Sequence, residues 1–392
     1  MIVVYIINWW NQFFYLFFSI LYITEKILQQ AYNKAKSWKS HNKEIQNWIN
    51  NEKTNIQNLY HDLISDKYKI WKPTMFMIQD PVLREIICVP FRDRIVQHIV
   101  YQALYPLVEN QAYHDIYSNM IWRWNLHGVK RISKFLRSCS QNFKQDCRIL
   151  KLDIQNFFLS IYKQNLWEKI QKLVSEKYFK SNRYDWPWLM RIINQIIFYD
   201  YRDYTDLSNS KLRKYFPYHK SMDSSDRTHW LPLGNLTSQL FANIYMHDFD
   251  VFVKEKLWIK YYGRYVDDFA LIHEDKRYLI ECREKIRTFL KNELKLTLHP
   301  KKVYLQHYSK WVRFLWVMIY PHYRTLGKKT IYRANQKMEN LDKQKEPHQS
   351  WMSYDWLAKH HKNRHLRQNR AIQYRAYELS KILDIEKWHL AP

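Results

Sequence analysis

The chain has 392 residues, with 63 Lys and Arg against 37 Asp and Glu, a net charge of +26. That excess points to a polyanionic partner, nucleic acid first, and a content of 46% hydrophobic and 17% aromatic residues excludes a disordered basic tail. The four cysteines (Cys88, Cys139, Cys147 and Cys282) are scattered and form no C-x-x-C pair. This argues against a disulfide scaffold or a cysteine zinc site and fits a reducing, cytoplasmic compartment.

The first 22 residues are strongly apolar, interrupted by Asn8, Asn11 and Gln12. Their length suits a membrane helix, but a basic leader and a small-residue cleavage site are both missing, which disfavours a secretory signal. Three readings stay open: an anchor, a helix packed on the body, or a start codon assigned too far upstream. From Ile23 amphipathic helices follow, with Thr24 as the first N-cap. Residues 71–90 read as extended, and 91–110 as a helix with an apolar stripe. Asp93 and Arg94 within it are expected to form structural ion pairs. Residues 148–154 read as a strand ending in an acid, and 176–229 as an irregular insertion. Residues 236–257 read as a long helix opened by Thr237 or Ser238. A strand–turn–strand hairpin is expected over 259–273, then a helix over 275–294. The short strand LKLTLH and a strand pair around 313–321 follow, and residues 330–392 read as basic and helical. The central order is close to a ferredoxin-like α+β sheet. The divisions expected are an extension over 1–22, N-terminal helices over 23–147, the sheet-bearing block over 148–322 and basic helices over 323–392.

Asp153 ends a strand, and Asp267 and Asp268 sit at a tight turn between two strands. If those strands are neighbours in an antiparallel sheet, three carboxylates gather at one edge. Like charges so placed need a cation. Oxygen donors select hard ions such as Mg²⁺, and two such ions can drive phosphoryl transfer. A solvated Asp-Asp turn needs no apolar surroundings, whereas Tyr265, Val266, Phe269, Ala270, Leu271 and Ile272 supply them here.

At these residues the sequence resembles the reverse transcriptases. YVDDF (265–269) is similar to their catalytic turn, LKLDIQNFFLSI (150–161) to the first palm motif and LPLGNLTSQLFANIYM (231–246) to the second. LTLHPKK (296–302) and RFLWVMIYP (313–321) resemble the two that follow, and REIICVPFRDRIVQHIV (84–100) the fingers segment. The resemblance implies a right-hand polymerase of fingers, palm and helical thumb, copying RNA into DNA. It implies that Asp153, Asp267, Asp268 and the Ile154 carbonyl hold two Mg²⁺ ions. Residues 154–158 (Ile154, Gln155, Asn156, Phe157, Phe158) would pass under the incoming dNTP. One of the two phenylalanines, Phe158 in our reading, would exclude a ribose 2′-hydroxyl while the other is core. Arg84 would meet the triphosphate, although Val82 and Leu83 stand where a lysine often precedes it. Leu233, Gly234 and Gln239 would line the nascent pair, and Lys302 would protonate the leaving pyrophosphate. Partners so implied are an RNA template and a DNA or RNA primer; a membrane partner is not expected.

The second palm motif reads Leu233-Gly234 and Ser238-Gln239 where many bacterial relatives read QG and SP. This form resembles the reverse transcriptases of diversity-generating retroelements. It implies error-prone copying opposite template adenines and a small basic accessory protein. Defence-associated and other bacterial reverse transcriptases, and a non-catalytic RNA-binding protein, are the alternatives. SYDWLAKHHKNRHL (353–366) resembles the thumb of the retroelement family. The chain holds only 4 glycines but 17 tryptophans. Trp124, Trp230, Trp258, Trp311, Trp316 and Trp356 occupy glycine-like positions, as if UGA codons for glycine had been read as tryptophan; drift towards aromatic composition is the alternative.

Overall fold

The computed structural model describes residues 23–37, 42–79, 82–175, 184–206 and 210–339. The apolar N-terminal stretch, Trp356 and the expected thumb segment 353–366 lie outside them. The chain forms two compact units. Among the described residues, the first runs over 23–114, 154–256 and 285–300, and the second over 115–153, 257–284 and 301–339.

The first unit opens with three helices, α1 (Glu25–Lys36), α2 (Lys43–Asn50) and α3 (Glu52–Ile64). Thr24 caps α1 by accepting from the Ile27 amide at 3.3 Å, as its hydroxyl at that position predicts. An antiparallel pair follows, β1 (Thr74–Gln79) and β2 (Leu83–Cys88), in register Met75 with Ile87. The long helix α4 (Phe91–Gln111) comes next. Its Arg92 and Asp93 are buried, and Asp93 accepts from Tyr68 Oη at 2.7 Å and the Trp71 amide at 3.0 Å. Arg92 pairs with Asp62 and Asp93, and Arg94 with Glu44. The expected ion pairs at 93 and 94 therefore form. Burying a charge costs several kcal/mol unless it is so partnered.

The second unit begins with α5 (Asn125–Cys139) and β3 (Arg148–Asp153). In the first unit, a short α6 (Phe157–Ser160), α7 (Lys163–Ser175) and α8 (Trp186–Phe198) follow. Helix α8 lies inside the stretch read as irregular. Its signal was an Asp185 cap with Pro187 in the first turn, and its apolar face is buried. A two-residue strand β4 (Thr205–Asp206) pairs in parallel with β1, and a single turn of helix, α9 (Ser210–Arg213), follows. Helix α10 (Leu236–Val251) packs on α4, as does α1. It is preceded by Asn235, whose side chain makes no capping bond, so neither Thr237 nor Ser238 is the cap; both are buried inside the helix. Among the described residues, no helix is long and apolar enough to cross a membrane.

The second unit is built on a four-stranded antiparallel sheet. Its strands are β3, β5 (Tyr261–Tyr265), β6 (Asp268–His273) and β7 (Tyr304–His307), in the order β5-β6-β3-β7. Helix α11 (Lys276–Leu294) joins β6 towards β7. This is the ferredoxin-like order expected, with one difference. LKLTLH makes only an isolated bridge, Leu298 with Ile154, and the edge strand is Tyr304–His307 instead. Residues 115–117 lie along β5. Ile116 bridges Arg264, whose amide donates to Asp115 O at 3.0 Å and whose carbonyl accepts from the Tyr117 amide at 2.9 Å. Helix α5 covers one face. Val129, Ile132, Phe135 and Leu136 pack there with Ile149, Ala270 and Ile272. The hairpin β8 (Val312–Phe314) and β9 (Val317–Ile319) joins the same core, followed by β10 (Arg324–Leu326) and α12 (Lys328–Glu339). At roughly 1.5–3 kcal/mol per buried large apolar side chain, this core is what fixes the strand ends.

Candidate active site

Asp153 is the last residue of β3 and pairs in register with Asp268, the first of β6. Asp267 lies between, in the two-residue turn that closes on Tyr265 and Asp268. The sheet thus gathers the three acids at one end. The first turn residue, Val266, has φ 56°. A β-branched side chain there is strained, at a cost of about 1–3 kcal/mol. Its carbonyl accepts from Arg264 Nη1 at 3.0 Å, and Arg264 is buried. The guanidinium therefore braces the strained turn from beneath.

The charges are poorly solvated. Burial first, and then the Asp153 charge, push the Asp267 carboxyl up to about 7. Burial pushes Asp268 up to about 6 against the opposing pull of Lys151. Lys302 Nζ lies 2.9 Å and 3.1 Å from the two oxygens of Asp153, and Lys151 Nζ lies 2.9 Å from Asp268 Oδ2. Among the described residues, no group of three or more His, Cys, Asp or Glu side chains stands ready to hold a metal; the two ammonium groups sit on the carboxylates. The donor set nonetheless fits a hard divalent cation. It is all oxygen, it is crowded with like charge, and Asp268 Oδ1 is buried with no hydrogen-bond partner. A cavity of about 400 Å³ opens here, lined by Asp153, Asp268, Lys151, Lys302, Tyr304 and Trp311 among others.

The remaining candidates belong to the first unit. Ile154 is buried, and the Gln155 amide donates to Thr297 O at 2.9 Å. Asn156 is left-handed at φ 46° and starts α6, with its side-chain amide donating to His219 O at 3.0 Å. Phe157 is buried, while Phe158 is half-buried and edge-on to it, with ring centroids 5.4 Å apart. Arg84 is exposed on β2. Leu233 is tied to the same strand, its carbonyl accepting from the Ile87 amide at 2.9 Å. Gln239 is exposed near the start of α10.

Gly234 has φ 106°, and a Cβ there would lie 2.8 Å from both Ile87 O and Ile86 Cγ2. Gly234→Ala is therefore expected to lose about 1–2 kcal/mol from backbone strain alone, read as a lower denaturant midpoint with an unchanged slope.

Two contributors escaped the sequence reading. Lys151 was legible in principle, since alternate strand residues share a face. Arg264 was not, because its bond to the Val266 carbonyl exists only once the turn has folded.

A family profile described as "Reverse transcriptase (RNA-dependent DNA polymerase)" matches residues 79–319, more than half of the chain. No curated protein matches the chain. Similar solved structures include apo telomerase from Candida tropicalis lacking its C-terminal domain (15% identity, 64% of this chain and 53% of that one, TM-score 0.46). Another is Candida tropicalis telomerase with a fragment of telomeric RNA (14%, 84% and 58%, 0.48). A third is the Candida albicans enzyme with such a fragment (13%, 69% and 50%, 0.42). The chain spans about half the length of these telomerases.

Proposed function

We propose that this chain, which belongs to the reverse transcriptase family, is an RNA-directed DNA polymerase that extends a primer 3′-hydroxyl with dNTPs on an RNA template. The observation that carries this reading is the convergence of Asp153, Asp267 and Asp268 at one end of the sheet. Divalent ions, Mg²⁺ by the hard-oxygen character of the donors, would be held by these carboxylates and supply hydroxyl activation and charge stabilisation. The chain's own residues do the positioning. The register of β3 and β6 fixes Asp153 against Asp268, and Arg264 holds the turn that carries Asp267. Lys302 is half exposed and paired with Asp153, so it can swing to give its proton to departing pyrophosphate. The +26 charge suits a hybrid gripped by its phosphates. Primer extension with Mg²⁺ and dNTPs on an RNA template tests the reading; failure of the intact chain to extend any primer overturns it.

Phe158 is the proposed barrier to a ribose 2′-hydroxyl, because Phe157 is the one committed to the core. Phe158→Ala is expected to raise rNTP use at least about tenfold relative to dNTP, since a lost steric exclusion is worth about 1–3 kcal/mol. Phe157→Ala instead costs about 3–5 kcal/mol of stability.

The finer assignment is to an error-prone enzyme of a diversity-generating retroelement, working with a template-repeat RNA and a small basic accessory protein. Its support is Leu233 beside Gly234, where an apolar side chain cannot hydrogen-bond to the nascent pair. Sequenced cDNA should carry its errors opposite template adenines. An even error spectrum would place the enzyme with other bacterial reverse transcriptases, defence-associated ones included.

A further inference from the structure

We infer that Lys151 is a positioning residue for Asp268, an inference that rests on the polymerase reading above. Lys151 stands two residues before Asp153 on β3, so both project from one face of the strand. The register sets Lys151 opposite Ala270 and Asp153 opposite Asp268. From there the lysine reaches diagonally to Asp268, Nζ to Oδ2 2.9 Å, with the side chains only 16% and 17% exposed. Asp268 Oδ1 is buried and has no partner. One oxygen of the carboxylate is thus pinned and the other is left with its lone pairs unused, in a residue that lines the cavity shared with Asp153 and Lys302.

The two lysines of this site are not equivalent. Lys302 is 50% exposed and can leave its carboxylate, whereas Lys151 is enclosed and stays. A surface pair in high dielectric would fix nothing, because two long side chains lose as much rotamer freedom as the charges return. An enclosed pair with one carboxylate oxygen held removes rotation about the terminal bond of Asp268. Lys151 therefore sets which oxygen Asp268 offers to a cation, and it does so without touching primer or dNTP. Residues that orient ligating carboxylates typically govern metal affinity or activity by about 10- to 100-fold.

The experiment compares the full chain with Lys151→Met, Lys151→Gln and Lys151→Arg. Binding of Mn²⁺, without nucleic acid or dNTP, is measured by electron paramagnetic resonance, alongside primer-extension kinetics and thermal melting. Lys151→Met and Lys151→Gln are expected to bind Mn²⁺ at least about tenfold more weakly and to lose about 10- to 100-fold in kcat, with KM for dNTP within about twofold. Lys151→Arg is expected to recover most of both. Wild-type Mn²⁺ affinity in a folded Lys151→Met variant overturns the inference. So does equal loss in all three variants together with lowered melting, which would make the pair a structural ion pair only. Should the wild-type chain bind Mn²⁺ yet extend no primer, the polymerase reading fails while the binding data still judge Lys151.

Discussion

Asp267→Ala and Asp153→Ala are each expected to reduce primer extension on an RNA template by at least about a thousandfold, a loss of roughly 4 kcal/mol of transition-state stabilisation. Single-turnover extension with Mg²⁺ and dNTPs reads this directly. Stability moves the other way. The Asp267 carboxyl is pushed up to about 7, chiefly by burial and then by Asp153, so the folded protein holds its proton more tightly than the unfolded chain does. In chelator, the stability tied to that proton is fully present below the ordinary carboxylate range and is lost as pH rises through about 7. Asp267→Asn removes a crowded charge. Its melting temperature should exceed wild type at pH 8, and the difference should shrink towards pH 4. An inactive variant that is more stable than its parent is the signature of charges held together for chemistry rather than for folding. A variant that kept activity, or lost stability at pH 8, would contradict this account.

The second large effect concerns tryptophan in left-handed backbone. Trp122 and Trp258 have φ 66° and 49°, and their indoles are 78% and 80% exposed. Each carries a steric penalty of about 1–2 kcal/mol, and neither indole recovers it by deep burial, although Trp122 stacks on Trp124. Trp122→Gly with Trp258→Gly should therefore stabilise the protein by about 2 kcal/mol, raising the melting temperature by several degrees. Trp230 has φ 90° but is 6% exposed and packs edge-on against Tyr201. There the lost indole, worth about 3–5 kcal/mol, outweighs the relieved strain, and Trp230→Gly alone should destabilise. Calorimetry of the three variants checks the signs. Codon 258, with those of Trp124, Trp230, Trp311, Trp316 and Trp356, should read UGA if glycine is the residue made in the parent organism; UGG would reject that origin. Trp124, Trp311 and Trp316 are not in left-handed backbone, and the left-handed residue of the β8–β9 turn is Leu315.

The acids were legible because two independent signals met: strand patterning around Asp153, and an apolar frame around an Asp-Asp pair that a solvated turn would not need. The order of the sheet followed from strand, helix, hairpin, helix, strand. The failures have local causes. LKLTLH alternates as a strand should, yet its backbone meets Ile154 and Gln155 rather than a ladder, and only tertiary pairing shows that β7 takes the edge. Thr237 and Ser238 look like caps by residue type, but the cap position is Asn235, two and three residues earlier, and both side chains are buried inside α10. Lys151 acts across strands, where sequence separation hides the partner, and Arg264 bonds a carbonyl only two residues on, a contact that exists once the turn has folded.

The short run at 115–117 has an outcome for the molecule's behaviour in concentrated solution. Outer strands with bare amides and carbonyls recruit strands from neighbouring chains and seed aggregation. Here Asp115 O and the Tyr117 amide already occupy the outward-facing groups of Arg264 on β5. That flank of the sheet is thereby denied to edge-to-edge growth at the position nearest the acidic turn.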